Sequence, residues 1–417
     1  MIRRILFFCI ILSSITVSSQ EIVKTMFYNL LEFPSASPEG RSEILKNILN
    51  TYEPDIFMVC ELENENGADQ ILNTSLNDDG IIYSRAPFVL NQSGNNTNLN
   101  QLLYFRNDKF ILESTDIIVN TVRDINRYQL KLNTTDQEDD PVFIDLFVTH
   151  LKSSQGTANQ NTRLEMVTKF TNYLETIDPD SFVIFAGDFN VYTQSEPAYQ
   201  ELLDNTNAIV LKDPINTPGS WHNNDTYQDI HTQSTRISSG PFGSGAGGGL
   251  DDRFDFILVS ENMETNPNVR YISDTYKSYG NNGNCYNNDI NNEDCIGDFN
   301  QDLRNDLYNM SDHLPVVMEL ETDKEFMILG NEDYLLNENL LQVELTVVKD
   351  KLQIKVHPSV QEFFTLEIYN TLGQKLIENI KTNSETISID VSQLAQGIYY
   401  IKSSLKNSNL IKFIKTS

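Results

Sequence analysis

Two oxygen-bearing side chains stand two positions apart where an apolar run ends: Ser181-Phe182-Val183-Ile184-Phe185 leads through Ala186-Gly187 into Asp188-Phe189-Asn190. Side chains at i and i+2 leave a strand on the same face, so Asp188 and Asn190 can address one substrate atom with a carboxylate and a carboxamide. Gly187 lets the backbone bend there or be approached closely. Other apolar runs end or begin with groups of the same kind. They supply Asn29 in Phe27-Tyr28-Asn29-Leu30, Glu61 after Phe57-Met58-Val59-Cys60, His150 in Thr149-His150-Leu151-Lys152, and Asp312-His313 ahead of Leu314-Pro315. Asp255 lies inside Arg253-Phe254-Asp255-Phe256-Ile257-Leu258-Val259, where a charge is costly unless paired or bound to metal. Singly, each has an ordinary structural reading: Glu61 can end a strand, His150 and His313 can be satisfied core residues, and Asp255 can pair with Arg253. Together they fit one chemistry. Carboxylates and an amide oxygen suit a hard divalent cation such as Mg²⁺, with Mn²⁺ or Ca²⁺ as alternatives. Two histidines can move protons, and a carboxylate beside an imidazole fixes its tautomer. Such a set activates water against a phosphate ester while the cation neutralises non-bridging oxygens.

The elements that must position these groups are legible in part. Glu21 to Leu31 reads as a strand. Arg41 to Tyr52 has helical spacing and stops at Pro54, and Asp55 to Leu62 is a nearly continuous apolar strand, as expected when both sheet faces are covered. Leu102 to Phe105 and Val142 to Leu151 are further strands. Arg163 to Ile177 is a helix with Leu164, Val167, Phe170, Leu174 and Ile177 at three-to-four spacing. A short helix from Glu196 to Leu203 carries Pro197 in its first turn, and Phe254 to Val259 and Leu314 to Leu320 complete the region as strands. Strands and helices alternate throughout, which predicts an α/β sandwich with helices outside the sheets. Beyond Glu321 the composition changes. Thr322 to Leu340 reads as a linker, and short alternating strands from Leu341 onward predict a small all-β sandwich without chemistry-bearing clusters.

The chain has 417 residues and a formal net charge of −29, which argues against a basic nucleic-acid-binding surface. Work on phosphates then needs a bound cation and local basic side chains. The N-terminus reads as a secretory signal: Arg3 and Arg4, an apolar run from Ile5 to Ile15, and small residues Val17-Ser18-Ser19 with cleavage before Gln20. No other hydrophobic stretch is long enough for a membrane helix. Export implies an oxidising compartment, where Cys285 and Cys295 can form a disulfide across a polar loop; Cys60 reads as a buried thiol. The glycine-rich stretch Ser239 to Gly249 lacks the Gly-Lys-Ser/Thr of a P-loop and reads as a mobile loop, with a lid over the site as one role open to it. An EF-hand register starting at Asp289 puts Asp294 where the turn glycine belongs, against calcium binding of that type.

Taken in order, Tyr28-Asn29, Cys60-Glu61, Phe105-Arg106-Asn107-Asp108-Lys109, Thr149-His150-Leu151, Gly187-Asp188-Phe189-Asn190, Asp255-Phe256-Ile257 and Ser311-Asp312-His313-Leu314-Pro315 resemble the endonuclease/exonuclease/phosphatase superfamily. The resemblance spans roughly Glu21 to Glu321. It implies a deoxyribonuclease I-like, two-sheet, four-layer α/β sandwich with the site at one end of the sheets. It implies Glu61 as principal metal ligand with Asn29 and Asp312, His313 as general base paired with Asp255, and His150 as donor to the phosphate or leaving group. Asp188 and Asn190 would orient water and the scissile phosphate. Arg127 resembles a phosphate-contacting arginine of the family, with Lys152 and Arg163 as weaker candidates for substrate binding. One departure stands out. Deoxyribonuclease I-like members have a glutamate supporting the histidine that His150 matches, whereas this chain reads Asn98-Leu99-Asn100-Gln101. The run from His150 through Arg163, followed by Gly187 to Leu203, looks closer to bacterial secreted nucleases of the superfamily.

The C-terminal segment resembles the sorting domain of the type IX secretion system. The matching features are Ile368-Tyr369-Asn370-Thr371-Leu372-Gly373-Gln374, then Leu394-Ala395-Gln396-Gly397-Ile398-Tyr399-Tyr400, and a lysine-bearing terminal strand; His357-Pro358-Ser359 replaces the usual Asn-Pro turn. The expected organisation is therefore a signal peptide over 1–19, a catalytic domain over 20–321, a linker over 322–340 and a sorting domain over 341–417. The expected protein is a secreted or cell-surface, metal-dependent phosphodiesterase, handled by the type IX machinery, with nucleic acid as substrate. A phospholipid phosphodiesterase or a phosphomonoesterase is the alternative.

Overall fold

The computed structural model describes residues 20–327 and 341–416, apart from 79, 81, 95–97, 240–241, 344–346, 357–359, 361–362, 371–372, 383, 385 and 406–410. The expected signal peptide, the His357-Pro358-Ser359 turn and most of the expected linker lie outside the described residues. The chain divides into two compact units between Met327 and Ile328.

In the first unit, strand β1 (Glu21–Phe33) runs into helix α1 (Arg41–Tyr52), followed by β2 (Ile56–Leu62), α2 (Glu65–Gln70), β3 (Tyr83–Arg85) and β4 (Asn100–Arg106). Next come β5 (Phe110–Ile118), β6 (Ile125–Leu132), β7 (Phe143–His150), α3 (Thr157–Leu174), β8 (Phe182–Asp188) and α4 (Pro197–Leu202). The unit closes with β9 (Leu211–Lys212), β10 (Asp255–Ser260), β11 (Arg270–Tyr271), β12 (Lys277–Ser278), α5 (Gln301–Met310) and β13 (Val316–Thr322). One sheet has the order β11-β13-β1-β2-β4-β3, with β12 also on β13; the other has the order β5-β6-β7-β8-β10-β9.

The sheets pack face to face because alternate residues on both are apolar. Ile144, Leu146 and Val148 of β7 and Ile184 and Ala186 of β8 join β1, β2 and β4 in one buried cluster. The other face of the second sheet is equally apolar and is covered by helix. Phe147, Val183, Phe185, Phe256 and Leu258 bury against Met166, Val167, Phe170 and Leu174 of α3 and Ala198 and Leu202 of α4. Phe170 stacks on Phe185 with centroids 4.1 Å apart. Leu45, Ile48 and Leu49 of α1 and Leu303 and Leu307 of α5 bury with the first sheet's cluster. The result is the helix–sheet–sheet–helix order of a four-layer α/β sandwich, matching the fold class that the sequence predicts.

The sequence placed α1 at its observed bounds and mispositioned α3, which begins at Thr157 after Gly156 at a positive φ of +98°. It missed α2, β3, β5, β6, β9, β11, β12 and α5. The last of these is hidden in an Asn/Asp-rich stretch and starts where the Asn300 side chain accepts from Leu303 N at 2.9 Å.

The second unit contains a three-stranded sheet and a five-stranded sheet. Strands β14 (Leu341–Val343), β15 (Val347–Val348), β16 (Lys351–Val356), β17 (Phe364–Asn370), β18 (Lys375–Thr382), β19 (Thr386–Asp390), β20 (Gly397–Ser403) and β21 (Ile411–Lys415) supply them. Leu352, Ile354, Leu366, Ile368, Ile389, Ile401 and Phe413 bury together as a small β core.

Candidate active site

Strand register alone brings the chemistry-bearing segments together. In the first sheet β1 and β2 are parallel, with Asn29 beside Cys60, and β13 runs antiparallel to β1 with Val316 opposite Phe27. The C-terminal ends of β1 and β2 therefore meet the entry to β13, where Asp312 and His313 sit. In the second sheet His150 of β7 pairs with Asp188 of β8, which pairs in turn with Asp255 at the start of β10. His150, Asp188 and Asp255 share the parity of Val148, Ala186 and Ile257, so they face the first sheet.

The side chains converge. Asn29 Nδ2 donates to Glu61 Oε1 at 3.0 Å and to Asp188 Oδ2 at 3.1 Å, and lies 3.4 Å from His313 Nε2. His313 Nδ1 is 2.7 Å from Asp255 Oδ2. His150 Nε2 is 3.4 Å from Asp188 Oδ2, and its Nδ1 is 3.8 Å from Glu61 Oε1. Asn190 N donates to Asp188 Oδ1 at 3.1 Å, and the Asn190 amide reaches Leu151 O at 3.4 Å. Backbone strain gathers here as well. Glu61 and Asn190 have φ of +59° and +52°, and Glu61 lies within an irregularity in the register of β2 with β4 that re-aims its side chain. Asp255 does not pair with Arg253; that guanidinium is taken by Asp213 at 2.8 Å.

Burial and charge set the protonation pattern. Burial raises the Asp188 carboxyl to about 7; His313 counters this, while Asp255 and Glu61 add to it. Burial also raises Glu61, with Asp312 adding to it and the Asn29 amide opposing it. Burial, then Arg123, holds His150 well below the usual imidazole range. For His313 burial works toward neutrality, but the carboxylates of Asp255, Asp312 and Asp188 outweigh it and raise the ring well above that range. One imidazole is thus kept neutral and its neighbour favours a proton.

These residues fit a divalent cation. Asp312 Oδ1 and Asp255 Oδ1 are buried without a hydrogen-bond partner. Among the described residues no lysine or arginine pairs with Glu61, Asp188 or Asp312. Glu61, His150 and Asp188 each offer a ligand atom within 4.8 Å of the others, as do Asp188, Asp255 and His313. Asn29 differs in one respect from an oxygen ligand. Its amide nitrogen faces the carboxylates, while its Oδ1 accepts from Leu31 N at 3.0 Å. As oriented, it is a donor bridge; binding a cation requires the amide to turn.

The three basic residues expected at the substrate do not gather here. Arg127 shares the register position of Phe147 and faces α3, where it pairs with Asp145 at 2.6 Å and stands over Tyr173. It is on the sheet face opposite His150. Arg163 is fully buried, pairs with Glu196 at 2.6 Å and donates to the carbonyls of Lys152 and Ser154. It braces the loop after β7. Lys152 Nζ rests on Ser153 O at 2.9 Å, on that same loop. Gln101 gives His150 no hydrogen bond: both side-chain polar atoms of Gln101 are buried without a partner, and so is His150 Nδ1.

Other groups at the centre had no signal in the sequence. Gln233 Nε2 lies 2.6 Å from His313 Nε2 and 3.2 Å from Asp312 Oδ2. Thr232 Oγ1 accepts from the backbone N–H of Asp255 at 3.2 Å. Arg123, two residues before β6, donates to His150 O at 2.7 Å. All three sit in irregular segments, where no periodicity marks a facing direction. The glycine-rich loop reaches the centre. Ala246 N donates to Asp312 Oδ2 at 2.6 Å, Ser234 Oγ donates to Ala246 O at 2.9 Å, and Arg236 stacks on Phe242 at 3.7 Å. Gly245, at φ +86°, lies so close that a Cβ there would stand 3.1 Å from Asp312 Cγ. Gly240 and Pro241 are outside the described residues. Cys285 and Cys295 are bonded, and Cys60 is a buried free thiol. Asp289 Oδ1 accepts from Ile237 N at 2.7 Å, a loop contact. No helix among the described residues is long and apolar enough to cross a membrane.

Residues 348–416 match the family model of the secretion system C-terminal sorting domain. No curated protein matches the chain. Among solved structures, D. rerio TDP2 complexed with single strand DNA product is similar at 16% identity, covering 72% of this chain and 99% of that one, with a TM-score of 0.47. The human Nocturnin catalytic domain with bound sulfate anion is similar at 16% identity, covering 72% and 97%, with a TM-score of 0.44. An endonuclease/exonuclease/phosphatase from Bacteroides vulgatus is similar at 16% identity, covering 72% and 99%, with a TM-score of 0.46. The C-terminal unit is thus similar to secretion sorting domains, and the larger unit has the sandwich architecture that the endonuclease/exonuclease/phosphatase resemblance implies.

Proposed function

We propose that the protein is a secreted, divalent-metal-dependent phosphodiesterase, acting as an extracellular nuclease on DNA or RNA. The observation that carries this reading is the convergence of Glu61, Asp188 and Asp312 with His150 and the His313–Asp255 pair at one end of two sheets. Glu61 and Asp312, with Asn29, would hold Mg²⁺ or a similar ion, which supplies charge neutralisation at the non-bridging phosphate oxygens. Asp255 fixes the His313 ring, so that Nε2 faces the centre and takes the proton of the attacking water. Asp188 and Asn190 orient that water and the phosphate. His150, kept neutral, donates a hydrogen bond to the phosphate or the departing oxygen. The sorting domain indicates type IX export to the cell surface or beyond.

The test is cleavage of plasmid DNA, RNA and nucleotides by the full chain, with and without chelator, beside Glu61→Gln and His313→Ala. Activity should vanish with chelator and in both variants; equal product from His313→Ala would defeat the reading. The net charge of −29 favours a second reading, in which a phospholipid or phosphomonoester replaces the polynucleotide. Release of phosphocholine or inorganic phosphate without nucleic-acid cleavage would select it.

A further inference from the structure

Outside the centre, His222, Asp251 and Asp252 form a second cluster, each offering a ligand atom within 4.8 Å of the others. His222 follows the fully buried Trp221, and its ring stands edge-on to Tyr192 with centroids 5.2 Å apart. Its Nδ1 is 2.7 Å from Asp252 Oδ1, and its Nε2 is 3.1 Å from the Gln155 amide. Asp252 is buried and Asp251 half-buried. Four buried acids elsewhere have cationic partners, Asp213 with Arg253, Asp145 with Arg127, Glu196 with Arg163 and Asp55 with Lys109, and buried Asp124 accepts from Ser93 and from the Gln92 N–H instead. Among the described residues no lysine or arginine pairs with Asp251 or Asp252, and the Asp251 side chain accepts no hydrogen bond.

Two carboxylates beside one imidazole, with no lysine or arginine paired to them, make a cluster whose ionised form a cation would stabilise. Removing such a charge from water is costly until a cation meets it. One imidazole nitrogen with two carboxylates is a donor set for Zn²⁺ or Mn²⁺ rather than for the oxygen-seeking Mg²⁺.

We propose that His222, Asp251 and Asp252 form a second divalent-cation site, at the rim of the candidate active site. Its place follows from the backbone. Asp252 exchanges backbone hydrogen bonds with Gln233 at 3.0 and 2.8 Å, and Gln233 touches His313. Asp252 also precedes Asp255 by three residues, a span of at most about 10 Å. An ion there is a fixed positive charge beside the mouth of a strongly acidic protein, and it would draw a phosphate-bearing substrate inward. That role rests on the function proposed above; the binding itself does not.

The experiment is calorimetric titration of the metal-stripped full chain with Mn²⁺, repeated for His222→Ala, Asp251→Asn and Glu61→Gln. Wild type should bind two ions, His222→Ala and Asp251→Asn one each, and Glu61→Gln one. A double variant, His222→Ala with Glu61→Gln, should bind none. Zn²⁺ should bind the His222 site more tightly than Mn²⁺, following the usual divalent order. Asp251→Asn is nearly isosteric at a half-buried position, so it decides the matter if His222→Ala does not fold. Stoichiometry unchanged by His222→Ala and Asp251→Asn overturns the site. An ion lost with His222→Ala but not with Glu61→Gln keeps this site and defeats the catalytic-centre reading, so the two failures are distinguishable.

Discussion

His313 is where opposing forces at the centre are most nearly at odds. Burial works against its charge, yet Asp255, Asp312 and Asp188 raise it. As the proposed general base it must give up its proton to work, so the Asp255 contact would both orient the ring and set the pH at which it acts. Asp255→Asn keeps the shape and removes the charge. We expect kcat to fall by about 10²–10⁴, the usual worth of a positioned acid–base group. Without the carboxylate the ring loses its proton more readily, so the limb of the kcat/KM profile due to His313 should move to lower pH. A merely structural Asp255 would leave that limb in place. Arg163 makes the contrasting case. Its guanidinium is wholly inside and holds Glu196 together with two carbonyls of the loop after β7. Arg163→Ala strands a buried carboxylate and should cost about 3–5 kcal/mol in denaturant unfolding. Wild-type stability in this variant would show that Arg163 is not the brace described. The sequence offered Arg127, with Lys152 and Arg163 as weaker candidates, because a cation in a run of residues carries no direction. Only register shows that Arg127 faces a helix and that Arg163 is spent on Glu196.

At the scale of elements, the candidate site is a consequence of strand pairing. His150, Asp188 and Asp255 are adjacent because β7, β8 and β10 are adjacent. Gly187 is the tightest point in that arrangement, since a Cβ there would meet Thr149 O at 2.4 Å. This is the close approach that the sequence suggests for Gly187. Gly187→Ala must push β8 off β7 just where the two strands carry Asp188 and His150. The expected cost is about 1–3 kcal/mol, as for other overpacked positions, with a larger proportional loss of activity. Unfolding curves and turnover on the same preparation test this; an unstrained, fully active Gly187→Ala would refute the tight pairing. Strand ends were legible because apolar runs stop abruptly at a polar residue. The α1 helix was legible because Leu45, Ile48 and Leu49 repeat on one face and Pro54 follows. Strand β5 was not, because it is exposed over much of its length and its alternation is polar on polar. Gln233 and Thr232 were not, because they reach His313 and Asp255 from a loop whose path is set by the fold around it.

Across the whole molecule the candidate site lies in the first unit, and the second carries a sorting-domain match over 348–416. Deleting 341–417 should leave the protein inside the cell while the purified first unit keeps its turnover. Normal secretion with lost activity would reverse that assignment. Charge gives the last test. A basic nuclease loses affinity steeply with salt because it releases counterions from the phosphate backbone. This chain, at −29, should behave oppositely toward a polyanion. Between about 10 mM and 150 mM monovalent salt the Debye length shrinks from about 30 Å to about 8 Å, which hides the acidic surface but not a cation held at the mouth. At fixed Mg²⁺, kcat/KM on DNA should therefore rise or stay level over that range. A small phosphodiester, which feels little of the distant field, should show almost no change. A fall of about 10³ on DNA alone would mean that a basic surface, not a bound ion, holds the substrate, and would move the phosphate contacts away from Glu61 and Asp312.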